Sequence, residues 1–379
     1  MDKILYVLKK NYKIYFSLLL IIITTISVYR AFDQAQLISF DFHFSPTKLV
    51  SEGINHYQYI LDGKHDDSPN DRIMYDQNGN YAQGLFVMLI PFTLMDWDEA
   101  KLLWSIINIL IAIFICIILC NKFNLSRFNT FLVCSIFLSS TIFRIHIAYG
   151  QQTLLMFIFL ILPFLQFNKL SIIFSGIAFF KYNIGYGLFI YFLSLKKITN
   201  IFLSLIPLII GWILYCFITN TNLLENLLEP LKVILYWNSF NNHFPVTIFS
   251  FLEVFNVNSI IVLILPLIIS FIIINKIKHE QDNLKKLSIL CLSILAFAPH
   301  QLHDYVILLP LLIFSIKNFN SVISKINLVI IFYFFYGLRI FSFFYNTQPW
   351  EFPYGYFGYL NNFIVISLLL SNLYFPRKN

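Results

Sequence analysis

A few ionisable side chains stand among apolar residues at widely separated places in this sequence. They are Asp41, His43, Arg144, Lys181, His300, His303, Asp304 and Arg339. A charge in apolar surroundings is costly and is usually kept where it has a function. These positions, with the neighbouring polar residues Tyr81 and Gln151, are therefore the first candidates for chemistry.

One reaction would use all of these groups, namely transfer of a sugar from a lipid phosphate to a hydroxyl. The donor phosphate needs cations, which the lysine, the arginines and the histidines of the set could supply. The acceptor hydroxyl needs a base, for which a carboxylate such as Asp41 is suitable. The leaving lipid phosphate is already ionised, so it needs electrostatic help rather than a strong general acid.

Each group also has a purely structural interpretation. Asp41 could cap a helix or belong to an acid-rich surface, and the basic side chains could extend to lipid headgroups. His300 and His303 could form hydrogen bonds inside a helical bundle. Together with Asp304 they offer three metal ligands but no evident fourth, so we predict no metal site and no cofactor.

The composition excludes a water-soluble fold. Of the 379 residues, 58% are hydrophobic and only 12% are charged, which is about half of the charged share in soluble domains. The formal charge of +7 fits an excess of basic residues at the cytoplasmic ends of membrane spans. The expected surroundings are therefore a lipid bilayer, and no nucleic-acid partner is expected.

Apolar runs of roughly 20 residues predict membrane spans. We predict an all-α, polytopic bundle of about twelve spans, within a range of 10–13, at about 14–29, 100–120, 128–142, 153–167, 170–181, 184–196, 198–219, 258–276, 286–298, 305–317, 326–344 and 357–374. With both termini in the cytoplasm, 17 basic and three acidic residues fall inside, against nine basic and sixteen acidic residues outside. This asymmetry obeys the positive-inside rule and predicts a multi-pass protein of a bacterial inner or plasma membrane.

The predicted outer face is more elaborate than the cytoplasmic one. Residues 1–379 form a single integral membrane domain, with a long outer loop at 30–99 and a second at 220–257. The first loop contains a helical stretch at 45–52, with Ser45 as N-cap and Pro46 at the first helical position, and a short apolar segment at 84–95. These segments predict helices in the membrane interface that roof a cavity.

Local patterns along residues 30–310 give the chain a family resemblance. They are Asp41 followed by Gly53 and Tyr57; Tyr81, Pro91, Ala100, Leu103-Trp104 and Asn108; Gly150-Gln151; Gly176 with Lys181; and Pro299, His300, His303, Asp304 and Tyr305. In this order and spacing they resemble glycosyltransferase family 87, the polyprenyl-phosphate-mannose-dependent mannosyltransferases of the C-type glycosyltransferase fold.

The resemblance implies transfer of a sugar, commonly mannose, from a polyprenyl-phosphate donor to a glycolipid, glycan or protein acceptor on the non-cytoplasmic face. It implies inversion at the anomeric carbon, with Asp41 as general base. The predicted donor-phosphate group is Lys181, His300, His303, Arg144 and Arg339. The predicted pocket residues are His43, Tyr81, Gln151 and Asp304.

Two other functions stay open at this point. A polymerase or ligase of lipid-linked glycans would favour basic residues in large outer loops, whereas the first loop here is rich in acids. A transporter or flippase of lipid-linked sugars would need charges at mid-bilayer depth. The charges here cluster at the predicted outer ends of spans, which favours sugar transfer at the outer face.

Overall fold

The computed structural model describes residues 2–39, 42–64, 79–240, 259–298, 300–337, 340 and 356–374. Every regular element in this part of the chain is a helix, as the composition predicts. In chain order the α-helices are α1 (Asp2–Leu37), α2 (Phe44–Ser51), α3 (His56–Leu61), α4 (Gln83–Leu89), α5 (Trp97–Lys122), α6 (Arg127–Leu138), α7 (Thr141–Ala148), α8 (Thr153–Leu165), α9 (Lys169–Ser175), α10 (Tyr182–Ser194), α11 (Ile198–Thr219), α12 (Leu223–Asn226), α13 (Glu229–Phe240), α14 (Ser259–His279), α15 (Asn283–Phe297), α16 (Leu309–Lys317), α17 (Val322–Phe332) and α18 (Tyr356–Tyr374). Three short 3-10 segments adjoin these helices: Ile90–Leu94 after α4, Gly176–Phe180 after α9 and Leu302–Leu308 before α16. A π turn at Tyr333–Gly337 follows α17.

Three helices of the described chain are long and apolar enough to cross a membrane on their own: α5, α11 and the Ile14–Leu37 part of α1. Helices α6 and α7 meet at a bend of 57° and would form a fourth span together. Each of the twelve predicted spans overlaps a helical segment, but most of these segments are too short to cross about 30 Å of hydrocarbon alone. The all-helical class is thus confirmed and the long apolar helices are consistent with a membrane protein, while the span count remains a prediction.

The long helices expose apolar side chains to their surroundings. Along α11, Ile209, Ile213 and Phe217 are 46%, 48% and 84% exposed, and only 22% of the most apolar stretch of this helix is buried. Contiguous apolar surface of this kind is unfavourable in water and is stable against lipid. By contrast, α15 is buried along nearly its whole length, as a helix at the centre of a bundle must be.

The first predicted outer loop differs in detail from the structure. Helix α1 continues past Arg30 to Leu37, so the loop begins later than residue 30. Helix α2 forms where predicted, but its N-cap is His43 rather than Ser45, and His43 adopts a left-handed backbone with φ 60°. Ser45 lies inside the first turn and is buried, because this end of the helix packs into the protein instead of facing water.

The predicted interfacial segment at 84–95 forms α4 and the 3-10 turn that follows it. Helix α4 is mostly buried and packs on α11 at a point where both helices carry glycine. A Cβ placed on Gly211 would lie 2.5 Å from the Cα of Gly84. A Cβ on Gly84 would in turn lie 2.4 Å from the ring of Phe180. Close packing therefore requires glycine at both positions, and α4 is part of the bundle wall.

Three helices run between two ends of the bundle that differ in chemistry. Helix α8 begins at Thr153, α10 follows Lys181, and α15 leads to His300. At their other ends, residues of the same three helices line one surface cavity with Lys122 and Lys197. With about 1.5 Å of rise per residue, helices of 13 to 15 residues separate the two ends by about 20 Å.

Candidate functional site

A buried ion pair lies at the end of these helices that carries the predicted site residues. The ammonium Nζ of Lys181 is 2.8 Å from Oδ1 of Asp304, and the two side chains are only 2% and 3% exposed. Lys181 stands between a 3-10 turn and α10, whereas Asp304 belongs to the 3-10 segment before α16. Burying two charges is favourable only if further hydrogen bonds satisfy both groups.

Those hydrogen bonds are present on both sides of the pair. The three N–H groups of Lys181 match three acceptors, since Nζ also donates to Thr153 Oγ1 at 2.6 Å and to Gln151 Oε1 at 3.1 Å. The Thr153 hydroxyl in turn donates to Asp304 in a short hydrogen bond. The second oxygen of Asp304 accepts from the backbone N–H of Gln301 at 3.1 Å and from Asn183 at 3.4 Å. The centre is therefore electrically neutral and tightly held.

The backbone that presents Gln151 is held from α5. The indole N–H of Trp104 donates to the carbonyl of Gly150 at 2.7 Å, and the amide of Asn108 donates to the carbonyl of Gln151 at 3.2 Å. Gly150 has a φ of +70°, and a Cβ there would come within 3.1 Å of the Cβ of Phe42. These contacts turn the chain sharply after α7 and aim Gln151 at Lys181.

Residues on either side of position 41 contact this same turn. The N–H of Ser39 donates to the carbonyl of Ala148 at 2.8 Å, and the ring of Phe42 stacks on Trp104 with centroids 4.9 Å apart. Asp41 itself, the predicted base, lies outside the described residues, as does Arg339.

Two aromatic side chains lie next to the lysine. The ring centroid of Tyr81 is 5.4 Å from Nζ of Lys181, and the imidazole of His43 meets Tyr81 edge to face at 4.8 Å. Neither ring nitrogen of His43 has a hydrogen-bond partner among the described residues. Burial, and then the nearby charges of Lys181 and His56, lower the pKa of His43 to about 3, so it is neutral at pH 7.

The other two histidines of the predicted set take different roles. His303 Nε2 lies 3.7 Å from Oδ1 of Asp304, which is close enough for an electrostatic contact but long for a hydrogen bond. His300 has both ring nitrogens within hydrogen-bonding distance of groups in the bundle, the Ala298 carbonyl at 3.1 Å and the Tyr305 hydroxyl at 3.3 Å. His303 thus belongs to the centre, and His300 supports the turn that precedes it.

A second polar network, in the segments that are predicted to lie outside, holds Tyr81 in place. The Tyr57 hydroxyl donates to the Tyr81 carbonyl at 2.6 Å. Buried Glu229 accepts from Asn55 at 2.8 Å and also from Asn226, which ties the second outer segment to the first. The two predicted outer loops are therefore joined to each other, and the first of them reaches the ion pair through Tyr81.

The structure brings together six of the predicted residues from distant parts of the sequence: His43, Tyr81, Gln151, Lys181, His303 and Asp304. Arg144 lies in α7, where its guanidinium donates to Thr141 Oγ1 at 3.0 Å. The sequence-based prediction missed Thr153 and Asn183, which contact Asp304 directly. Threonine and asparagine are too common at helix starts to stand out, and only their positions two residues after Gln151 and Lys181 could have indicated them.

Within the described ranges, no three His, Cys, Asp or Glu side chains are placed to hold a metal ion. Comparison with family models, with curated proteins and with solved structures gave no match to this chain. The resemblance to glycosyltransferase family 87 therefore rests on the residues named above.

Proposed function

We propose that this protein is a membrane glycosyltransferase that moves a sugar, mannose by family resemblance, from a polyprenyl-phosphate donor to an acceptor hydroxyl on the non-cytoplasmic face. The observation that carries this proposal is the convergence of Lys181, Asp304, Gln151, His303, Tyr81 and His43 from five separate segments. A solvent-exposed loop would not gather buried polar groups in this way, and a purely apolar core has no use for them.

In the proposed reaction, Asp41 takes the proton of the acceptor hydroxyl as its oxygen attacks the anomeric carbon. The bond between that carbon and the phosphate oxygen breaks, and its electron pair leaves with the lipid phosphate, which inverts the anomeric configuration. The Lys181 ammonium stabilises the charge that develops on the phosphate. Since its three N–H groups already have acceptors, a phosphate oxygen would replace Gln151 or Thr153 as one of them.

The depth of the site constrains how a donor reaches it. Trp104, which contacts the Gly150 turn, lies seven residues after the start of α5, so the centre is about 10 Å below the outer end of that helix. In this proposal the donor phosphate passes below the predicted outer end of α5 to reach Lys181, beside α4 and the joined outer segments. The polyprenyl chain, which is apolar throughout, would stay in the bilayer.

The same depth favours one competing function. A buried ion pair with adjacent histidines, inside a helical bundle, is also what ion-coupled transporters use to move a proton or a substrate. A transporter or flippase of lipid-linked sugars is therefore the second candidate. It differs from the first in needing no chemical change in the lipid.

The test is a transfer assay with the full-length protein in liposomes. Synthetic polyprenyl-phosphate-mannose and candidate acceptors, namely glycolipids, glycans and peptides, are supplied, and the sugar on the acceptor is measured. We expect transfer by the wild type and a loss of about 10²- to 10⁴-fold in Asp41→Asn and Asp41→Ala, the range typical of a general base. Asp33→Asn, which removes an exposed aspartate at the end of α1, is the matched control and should retain activity.

Full activity in both Asp41 variants would remove that residue as the base. Movement of labelled lipid between leaflets without any transfer would instead support the transporter and refute the transferase.

A further inference from the structure

A surface cavity lies at the opposite end of the bundle from the ion pair. Its volume is about 460 Å³, and it is formed by the ends of four helices and the links between them. Its lining includes Lys122 at the end of α5, Phe167 after α8, Lys197 before α11 and Asn283 at the start of α15. The loops that contribute these residues are those that the charge pattern assigns to the cytoplasmic side.

The two lysines of the cavity are held by groups that do not neutralise them. Nζ of Lys122 donates to the backbone carbonyl of Leu165, the last residue of α8, which leaves two further N–H groups on that ammonium. Nζ of Lys197 lies over the ring of Phe167, 4.5 Å from its centroid. Among the described residues, neither lysine forms a salt bridge with a carboxylate.

The two acidic residues that precede the lining residue Asn283 already have interaction partners. Glu280 forms a salt bridge with Lys285 at 2.7 Å, and Asp282 caps α15 by accepting from the backbone N–H groups of Leu284 and Lys285. The cavity therefore presents two positive charges, and none of its described lining residues is acidic. A bound anion with several oxygens would satisfy both ammonium groups at once.

Apolar side chains at the rim indicate where that anion comes from. Phe167 lines the cavity, Ile198 follows the lining residue Lys197, and Leu170 lies three residues after Phe167; they are 42%, 62% and 65% exposed. A soluble phosphate has no contact to make with them, whereas the acyl chains of a phospholipid do. Basic pockets between helix ends at a membrane surface are the known setting for anionic headgroups.

We infer that this cavity binds the headgroup of an anionic phospholipid, with its phosphate between Lys122 and Lys197 and its acyl chains along Phe167, Leu170 and Ile198. The inference is independent of the reaction proposed at the other end of the bundle. In the predicted topology, it assigns this bound lipid to the cytoplasmic leaflet.

The experiment is native mass spectrometry of the full-length protein released from nanodiscs that contain equal amounts of phosphatidylglycerol and phosphatidylcholine. We expect the wild type to retain phosphatidylglycerol preferentially, and the double variant Lys122→Gln/Lys197→Gln to bind it about tenfold more weakly, because both phosphate contacts are lost. The matched control is Lys276→Gln/Lys325→Gln. These two lysines are also exposed and also lie over aromatic rings, but they do not line the cavity.

An equal loss of phosphatidylglycerol in both double variants would overturn the inference, because it would show that only total surface charge matters. A preference unchanged in Lys122→Gln/Lys197→Gln would overturn it as well. A third arm uses sn-glycerol 3-phosphate without acyl chains. Binding of this soluble ester as tightly as the lipid, with the same dependence on the two lysines, would assign the cavity to a soluble phosphate and refute the lipid.

Discussion

The ion pair between Lys181 and Asp304 offers the sharpest test of how this fold is held together. Replacing Asp304 by leucine leaves the ammonium of Lys181 buried without its counter-charge, with neutral acceptors such as Thr153 and Gln151. Removing one partner of a buried pair costs about 3–5 kcal/mol, whereas replacing both by apolar residues of similar volume is often neutral. Both side chains are at most 3% exposed, so solvent screens this interaction very little.

The double-mutant cycle compares Lys181→Met, Asp304→Leu and the double variant. We expect each single change to lower the free energy of unfolding by about 3–5 kcal/mol and the double variant to lower it by only about 1 kcal/mol, which gives a coupling energy of about 5 kcal/mol or more. Unfolding is measured in mixed micelles at pH 7 by titration with SDS, followed by tryptophan fluorescence.

The matched control is the pair between Lys285 and Glu280, which has the same N–O distance within 0.1 Å but side chains 12% and 21% exposed. Glu280→Gln should cost about 1 kcal/mol or less, since a partly solvated ion pair contributes little. Single variants at Lys181 and Asp304 that unfold like the wild type, or that add without coupling, would refute the view that these charges depend on each other.

Two further predictions concern the turn after α7 and the outer network. Gly150→Ala should destabilise the protein by about 2 kcal/mol or more, because position 150 combines a positive φ with a Cβ contact of 3.1 Å. The control Gly63→Ala should cost only about 1 kcal/mol, because Gly63 has a φ of +73° but nothing within 4 Å of its Cβ position. Equal losses of unfolding free energy in SDS titration would contradict this prediction. Burial lowers the pKa of His56 from 6.5 to about 3, although its hydrogen bond to a backbone carbonyl opposes this shift. Protonation therefore favours the unfolded chain, and stability falls as the pH drops from 6.5 towards 3, by up to about 2 kcal/mol from this group at pH 5. His56→Gln should flatten the unfolding free energy between pH 7 and pH 5, and exposed His279→Gln should not; identical pH profiles for both variants would count against the burial argument.

The candidate site shows where sequence-based reasoning succeeds and where it stops. A lysine and an aspartate placed among apolar residues must each find a polar partner, so Lys181 and Asp304 could be selected from the sequence alone. Their pairing could not, because they are separated by 123 positions and nothing in the local pattern distinguishes this aspartate from the others. The sequence-based prediction gave Lys181 to a phosphate, whereas the structure shows its charge already balanced by Asp304.

The structure also explains a spacing that the sequence shows only as a pattern, that of Trp104, Asn108 and Gly150-Gln151. They were selected because they resemble a family pattern, without a physical reason for their spacing. The hydrogen bonds from α5 to the carbonyls of Gly150 and Gln151 supply that reason, since the helix and the turn must be matched for the amide of Gln151 to reach Lys181.

The sequence by itself determined that this chain is a helical membrane protein, because span length, apolar content and the scarcity of charge are local properties that lipid selects directly. It also limited the chemistry to a short set of polar residues. Only the tertiary structure decided which of these residues meet, which charges cancel, and that a basic cavity lies about 20 Å from the ion pair. Such contacts depend on how helices distant in the chain pack together, and no local pattern in the sequence encodes that geometry.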